Sequence, residues 1–180
     1  MRTIIGIYVL VGLGGVALAE APNVPTSAPY IVLSDNFDEP NGYGFCLDTS
    51  GRGQSDLMQT HSCKPAKDGE PRNDQDNDTR FIYDAETGQI ASYAFEGFCM
   101  QALIASEVTV FALLECSDHP RQNFVYDSSD QTLRLGEDLD RCVAAASETV
   151  PAGPWVKRPL MLLNCDDVDA SLRQWTVVAE

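Results

Sequence analysis

Positive charge is scarce in this sequence. Its 180 residues carry 12 Lys and Arg against 27 Asp and Glu, a formal net charge of −15. Such a chain is repelled by nucleic-acid phosphates and by anionic membrane surfaces, which excludes both as partners. Histidine is scarcer still, with His61 and His119 alone, and no Gly-x-Ser-x-Gly occurs. The adjacent Asp166-Asp167 lies in a loop-like stretch and makes a poor pair for flanking a glycosidic bond. The chain therefore reads as non-catalytic. The Cys-x-x-Cys spacing of zinc sites and redox thiols is also missing, so neither a metal nor a cofactor is expected. Helical periodicity is weak throughout. Val143 to Ala146 and Val168 to Leu172 have room for one helical turn each at most.

Only one long apolar run is present, Ile4 to Leu18. It follows Arg2 and ends in Ala17-Leu18-Ala19, a small-x-small cleavage pattern. The run is short for a membrane span, and no second apolar stretch follows it. The expectation is a signal peptide over 1–19, cleaved after Ala19, and a secreted or periplasmic protein with no stable membrane span. Residues 20–29 are Pro-rich and read as an extended leader. Six cysteines, Cys46, Cys63, Cys99, Cys116, Cys142 and Cys165, then read as disulfides. Cys46 and Cys63 stand at the same separation as Cys99 and Cys116, which suggests sequential pairing: 46–63, 99–116 and 142–165. A loop of that size contributes about 3 kcal/mol in the chain-entropy description.

The chain also repeats itself three times. "GFCLDTS" (Gly44 to Ser50) returns as "GFCMQAL" (Gly97 to Leu103) and as "DRCVAAA" (Asp140 to Ala146). "FIYDAETGQIAS" from Phe81 matches "FVYDSSDQTLRL" from Phe124, each an alternating strand, a polar turn and a second alternating strand. Apolar stretches lead into the second cysteine of each unit: "DLMQTHSC", "VTVFALLEC" and "PLMLLNC". Three such units must share one core. Tyr30 to Leu33 reads as the first strand and Trp175 to Val178 as the last. Pairing them closes a barrel and removes its edges.

Three Cys-x-[Asp/Gln/Ala] strands, three downstream cysteines, and aromatics near Gln-x-Trp positions resemble the ricin-type β-trefoil lectins, over Tyr30 to Glu180. The resemblance implies an all-β fold, a β-trefoil of three repeats at roughly 30–84, 85–127 and 128–180, with one disulfide in each. The Gln-x-Trp frame is altered here: Gln122-Asn123-Phe124 in the second repeat, Thr79-Arg80-Phe81 in the first, Arg173-Gln174-Trp175 in the third. Those aromatics belong to the scaffold, because burying each stabilises by a few kcal/mol.

In this family a sugar contacts the Asp two after the first Cys, side chains four and two before the second Cys, and the residue before the Gln frame. The chemistry is a carboxylate accepting from sugar hydroxyls, an amide giving and taking, and an aromatic covering the apolar sugar face. The first repeat places Asp48, Gln59, His61 and Asp78 there, all polar. The second has Gln101, Ala112, Leu114 and Arg121, and the third Ala144, Met161, Leu163 and Leu172. The resemblance thus implies an exported carbohydrate-binding protein with at most one weak site, binding a glycan or glycoconjugate in the first repeat. The alternative is a trefoil serving as a protein-binding accessory subunit of an exported assembly, such as the cell-binding part of a toxin, without sugar binding.

Other readings stay open at single residues. Asp48 is a sugar ligand or a turn residue at the strand end, and His61 a ligand or an ordinary half-buried histidine. The acidic run 73–78 lacks the glycine and the terminal Glu of a calcium loop and reads better as a solvated loop. Asn77-Asp78-Thr79 is a glycosylation sequon in a eukaryotic host. Trp155, in the Pro-flanked loop "AGPWVKRP", is a packed plug or an exposed contact.

Overall fold

The first strand and the last are partners. Tyr30–Leu33 (β1) runs antiparallel to Trp175–Val178 (β13), with Tyr30 opposite Val178 and Leu33 opposite Trp175. Pairing of the two ends hides two strand edges, as the alternating sequences there predict. The computed structural model describes residues 20–37, 39–51, 54–65, 72, 77–105 and 108–179. The expected signal segment 1–19 and positions 73–76 of the acidic run lie outside the described residues.

Between the end strands follow Phe45–Thr49 (β2), Met58–Ser62 (β3), Phe81–Tyr83 (β4), Ile90–Ser92 (β5), Phe98–Ala105 (β6), Val108–Glu115 (β7), Phe124–Asp127 (β8), Thr132–Leu135 (β9), Asp138–Ala145 (β10), Val150–Ala152 (β11) and Trp155–Asn164 (β12). β4 pairs with β5 and β8 with β9, as β1 does with β13. β2–β3, β6–β7 and β10–β12 form the intervening hairpins. The result is a β-trefoil. Its hairpins share one register: Asp48 stands opposite Gln59, Gln101 opposite Ala112, and Ala144 opposite Met161. Disulfides 46–63, 99–116 and 142–165 join the first strand of each hairpin to the residue just past the second.

Phe81, Phe124 and Trp175 all point into the shared core with no exposed surface, among Phe45, Leu47, Met100, Leu113, Val143 and Leu162. Trp175 also donates its indole N–H to the carbonyl of Val143 at 2.8 Å, so its one polar atom is satisfied in the interior. A single helical turn, Ala170–Arg173, lies in the segment where the sequence left room for one. Val143 to Ala145 is strand instead, paired residue for residue with β12. Alanine's helix preference is a few tenths of a kcal/mol and yields to pairing and burial there.

Two further expectations change. Trp155 is not in a loop: Gly153, at φ +68°, and Pro154 turn the chain between β11 and β12, and Trp155 opens β12 opposite Ala152. Its half-buried ring packs against Tyr43 at 6.3 Å between centroids. The Pro-rich leader is irregular, as its composition implies, but it is not a free arm. Asn23 N–H donates to the Gly42 carbonyl at 2.8 Å, and the Thr26 hydroxyl to the Lys64 carbonyl at 2.7 Å. Val24 packs on the Cys46–Cys63 disulfide. Gly44, at φ +77°, turns the chain into β2, and a Cβ there would lie 2.4 Å from the Pro22 Cβ. The leader therefore sits against the first repeat at a point where only glycine fits.

Candidate functional site

Strand alternation decides where the first repeat's polar residues go. Gln59 and His61 share one face of β3, and Asp48 faces Gln59 across the ladder. Gln59 Nε2 donates to Asp48 Oδ2 at 3.4 Å. Asp78 arrives from the loop before β4. The four residues that the family resemblance singles out are thus brought to one place, but not to an open one. Asp48 and Asp78 have no exposed surface, and Gln59 and His61 keep only 7% each. Asp48 lies within β2 and is not a turn residue at its end.

The centre of the group is a residue that sequence reading passed over. Lys64 Nζ lies 2.5 Å from Asp78 Oδ1 and 3.6 Å from Asp48 Oδ1. Lys64 follows the second cysteine of the hairpin, and the Cys46–Cys63 bridge aims it back at β2. Two acidic positions converging in an interior call for a counter-ion, and that requirement was the available signal for it.

Burial pushes both carboxyl groups upward in pKa. For Asp78, the Asp48 charge beside it adds to burial and lifts the value to about 8, against the pull of Lys64. For Asp48, burial again leads and Lys64 opposes it. Asp48 Oδ1 and Asp78 Oδ2 accept from no N–H or O–H of the described residues. One proton kept by the carboxyl pair leaves a neutral set of two carboxyls, one proton and one ammonium. Burial lowers the His61 pKa, and its Nδ1 lies 2.9 Å from the Ser62 carbonyl, so the ring is neutral with its proton on Nδ1.

A sign for pH follows. With Asp48 and Asp78 both present as carboxyl groups, the folded chain keeps a proton that the unfolded chain sheds near the ordinary carboxylate range. That stabilisation is complete below about pH 4 and is lost as pH rises through about 8. His61 works the other way, its contribution falling as pH drops below 6.5. Between about pH 8 and 6.5, then, acidification is expected to raise the Tm of a chain in which Asp48 and Asp78 both titrate. Asp78→Asn should flatten that rise in a thermal melt.

The equivalent places in the other repeats have a different chemistry. Gln122 Nε2 donates to Gln101 Oε1 at 3.0 Å, so the second repeat ties its amide to the scaffold. Arg121 points away to Glu137 at 3.1 Å. Ala112, Ala144 and Leu172 are buried, and Leu114, Met161 and Leu163 are half-buried. Two polar clefts lie elsewhere. One of about 510 Å³ includes Gln89, His119 and Glu137, and one of about 380 Å³ includes Asp130, Arg134 and Asp166. Among the described residues no group of three or more His, Cys, Asp or Glu is placed to hold a metal ion, and no helix is long and apolar enough to cross a membrane.

No protein-family model matches the chain, and no curated protein sequence is significantly similar to it. Solved structures do match. The C-terminal half of an earthworm R-type lectin, solved with GalNAc, superposes at a TM-score of 0.55 with 14% identity, over 84% of this chain and 97% of that one. An earthworm lectin C-terminal domain mutant, solved with 6'-sialyllactose, gives 0.53 and 13%, over 84% and 97%. This chain spans only 20% of the length of GalNAc-T7, with 12% identity over 75% of this chain and a TM-score of 0.48. At these identities the likeness establishes the fold alone, the β-trefoil.

Proposed function

We propose that this β-trefoil is an exported, non-catalytic carbohydrate-binding protein with at most one weak site, at Asp48, Gln59, His61 and Asp78 of the first repeat. The observation that carries the reading is their convergence. The same three hairpin positions are Gln, Ala and Leu in the second repeat and Ala, Met and Leu in the third. Holding two carboxyl groups in an interior costs stability, and polar groups kept against such a cost are more often found at functional sites than in scaffolds. Export rests on the N-terminal apolar run and the three disulfides. Net charge leaves no role for nucleic acid.

Lys64 already occupies the carboxylates, so a sugar competes with an ion pair and reaches the group through its Gln59–His61 rim. Affinity for a monosaccharide is expected near millimolar, about −4 kcal/mol, and useful binding needs several sites at once. A dense glycan array with the wild type, Asp48→Ala and His61→Ala tests this. His61→Ala alters only the rim and should weaken binding about tenfold. An array on which no variant and no wild-type protein binds any glycan sinks the carbohydrate reading.

A second reading, a protein-binding accessory trefoil, is favoured by one feature. An apolar hollow of about 200 Å³ lies where the hairpins meet, lined by Met58, Phe111, Pro159 and Leu160. Leu57 and Val110 stand on its rim, 51% and 40% exposed. Polar replacement of those two side chains would abolish partner binding and leave any glycan binding intact.

A further inference from the structure

From the placement of Lys64, Asp78 and Asp48 we propose that the folded protein joins Lys64 to Asp78 through an intramolecular isopeptide bond, with Asp48 as the general acid and base of that single turnover. This does not rest on the carbohydrate reading. An amine, a carboxyl group and a second carboxyl able to move protons are the parts that direct amide formation requires, and here all three are buried within 3.6 Å of the same nitrogen.

The step balances within the site. At the start Lys64 is an ammonium, Asp78 holds the shared proton, and Asp48 is a carboxylate. Asp48 takes one proton from Lys64. The freed amine attacks Asp78 Cγ, and the new C–N bond forms as the carbonyl electrons move to oxygen. Asp48 then passes its proton to the departing hydroxyl and recovers one from the nitrogen as the C–O bond breaks. The products are an amide, one water and a protonated Asp48. Net charge is zero before and after, and no oxidant, metal or cofactor takes part.

Three features favour the forward direction. Protonation makes Asp78 a carboxylic acid, whose hydroxyl leaves as water, and Asp78 is held in that form by burial and the Asp48 charge. Fixed proximity raises the effective concentration of the amine to roughly 10⁵–10⁸ M, which offsets the unfavourable loss of water in an aqueous medium. Formation of the amide also removes a buried ammonium, and protonated Asp48 is left to donate to the amide carbonyl. The leader helps to exclude water, since Thr26 bonds the Lys64 carbonyl at 2.7 Å and the Lys64 side chain is only 11% exposed.

Mass spectrometry of the folded, exported protein, reduced and denatured for the measurement, tests this directly. The wild type is expected one water lighter than its sequence, with a branched Lys64–Asp78 peptide after digestion. Lys64→Arg keeps a cation at the site and should retain the full mass. Asp48→Asn should slow bond formation by about 10²–10⁴-fold, followed as full-mass chain converting to cross-linked chain. Thermal melts give a second readout. The rise of Tm between about pH 8 and 6.5 belongs to a titrating Asp78. With Asp48 and His61 beside Lys64 and the Lys157 charge near His61, it is expected in Lys64→Arg and not in cross-linked wild type. Wild-type protein of full mass overturns the proposal. So does a lost water that maps elsewhere, to a pyroglutamate at Glu20 or a succinimide at Asp68-Gly69.

Discussion

Lys64→Met is expected to be about 3–5 kcal/mol less stable than Lys64→Arg, which keeps the cation and cannot form the amide. Methionine fills much the same volume, so little of the effect comes from a cavity. What changes is charge. Asp48 and Asp78 have no exposed surface, and Lys64 is the cation that meets both, at 3.6 and 2.5 Å. Without it the carboxyl pair keeps its shared proton and one uncompensated negative charge. Coulomb attraction at such distances is several kcal/mol even at an effective dielectric of about 20. Asp78→Asn in the Lys64→Met background should recover part of the loss, because an amide donates to the Asp48 carboxylate as the proton did. Urea unfolding of the single and double variants reads the coupling. A Lys64→Met protein as stable as Lys64→Arg would mean that the carboxyls are neutral in the fold and that the cation contributes nothing.

Trp175→Ala should cost about as much, 3–5 kcal/mol, for a different reason. The indole is fully buried in the core shared by the three repeats, on the strand that pairs with β1. Truncation opens a cavity and strips the Val143 carbonyl of its 2.8 Å hydrogen bond. Trp175→Phe separates the two terms. Phe81 and Phe124 occupy the equivalent places in the other repeats with no exposed surface, so a phenyl ring fits the frame. The Phe variant should therefore lose about 1–3 kcal/mol, most of it the unsatisfied carbonyl. If Trp175→Phe were as damaging as Trp175→Ala, the indole would be needed for its shape beyond what the frame demands.

The scaffold was legible because it repeats. Cys46, Cys99 and Cys142 recur with the same downstream partners, and Phe81, Phe124 and Trp175 recur after them. A pattern written three times reports burial and pairing even where one copy departs, as Thr79 does from Gln122. Strand alternation put Gln59 and His61 on one face, and the family resemblance set Asp48 and Asp78 beside them. What stayed illegible is what occurs once. Lys64 has no counterpart at Ser117 or Asp166, and its role depends on a disulfide turning the chain and on a loop returning Asp78 from fourteen residues further on. Trp155 lies in a strand and not in the loop its flanking prolines predict, because Gly153-Pro154 is a hairpin turn and β11 has no counterpart among the described residues of the other repeats. The pairing of β12 with β3, which sets Lys157 opposite His61, joins distant repeats and leaves no trace in either segment's composition. The leader's packing is of the same kind, since Pro22 against Gly44 is a fit between two surfaces.

The closure of the barrel by β1 and β13 also fixes how it responds to force. Tyr30, the first residue of one strand, stands opposite Val178, the last of the other, so the two ends leave the barrel side by side. A pull applied directly at Tyr30 and Val178, past the leader's anchors, loads one rung of the ladder at a time, in the manner of a zipper, instead of sharing tension across all of them. The barrel is expected to peel open at low force from that seam. The three disulfides lie outside it and would hold their hairpins closed after the seam has parted.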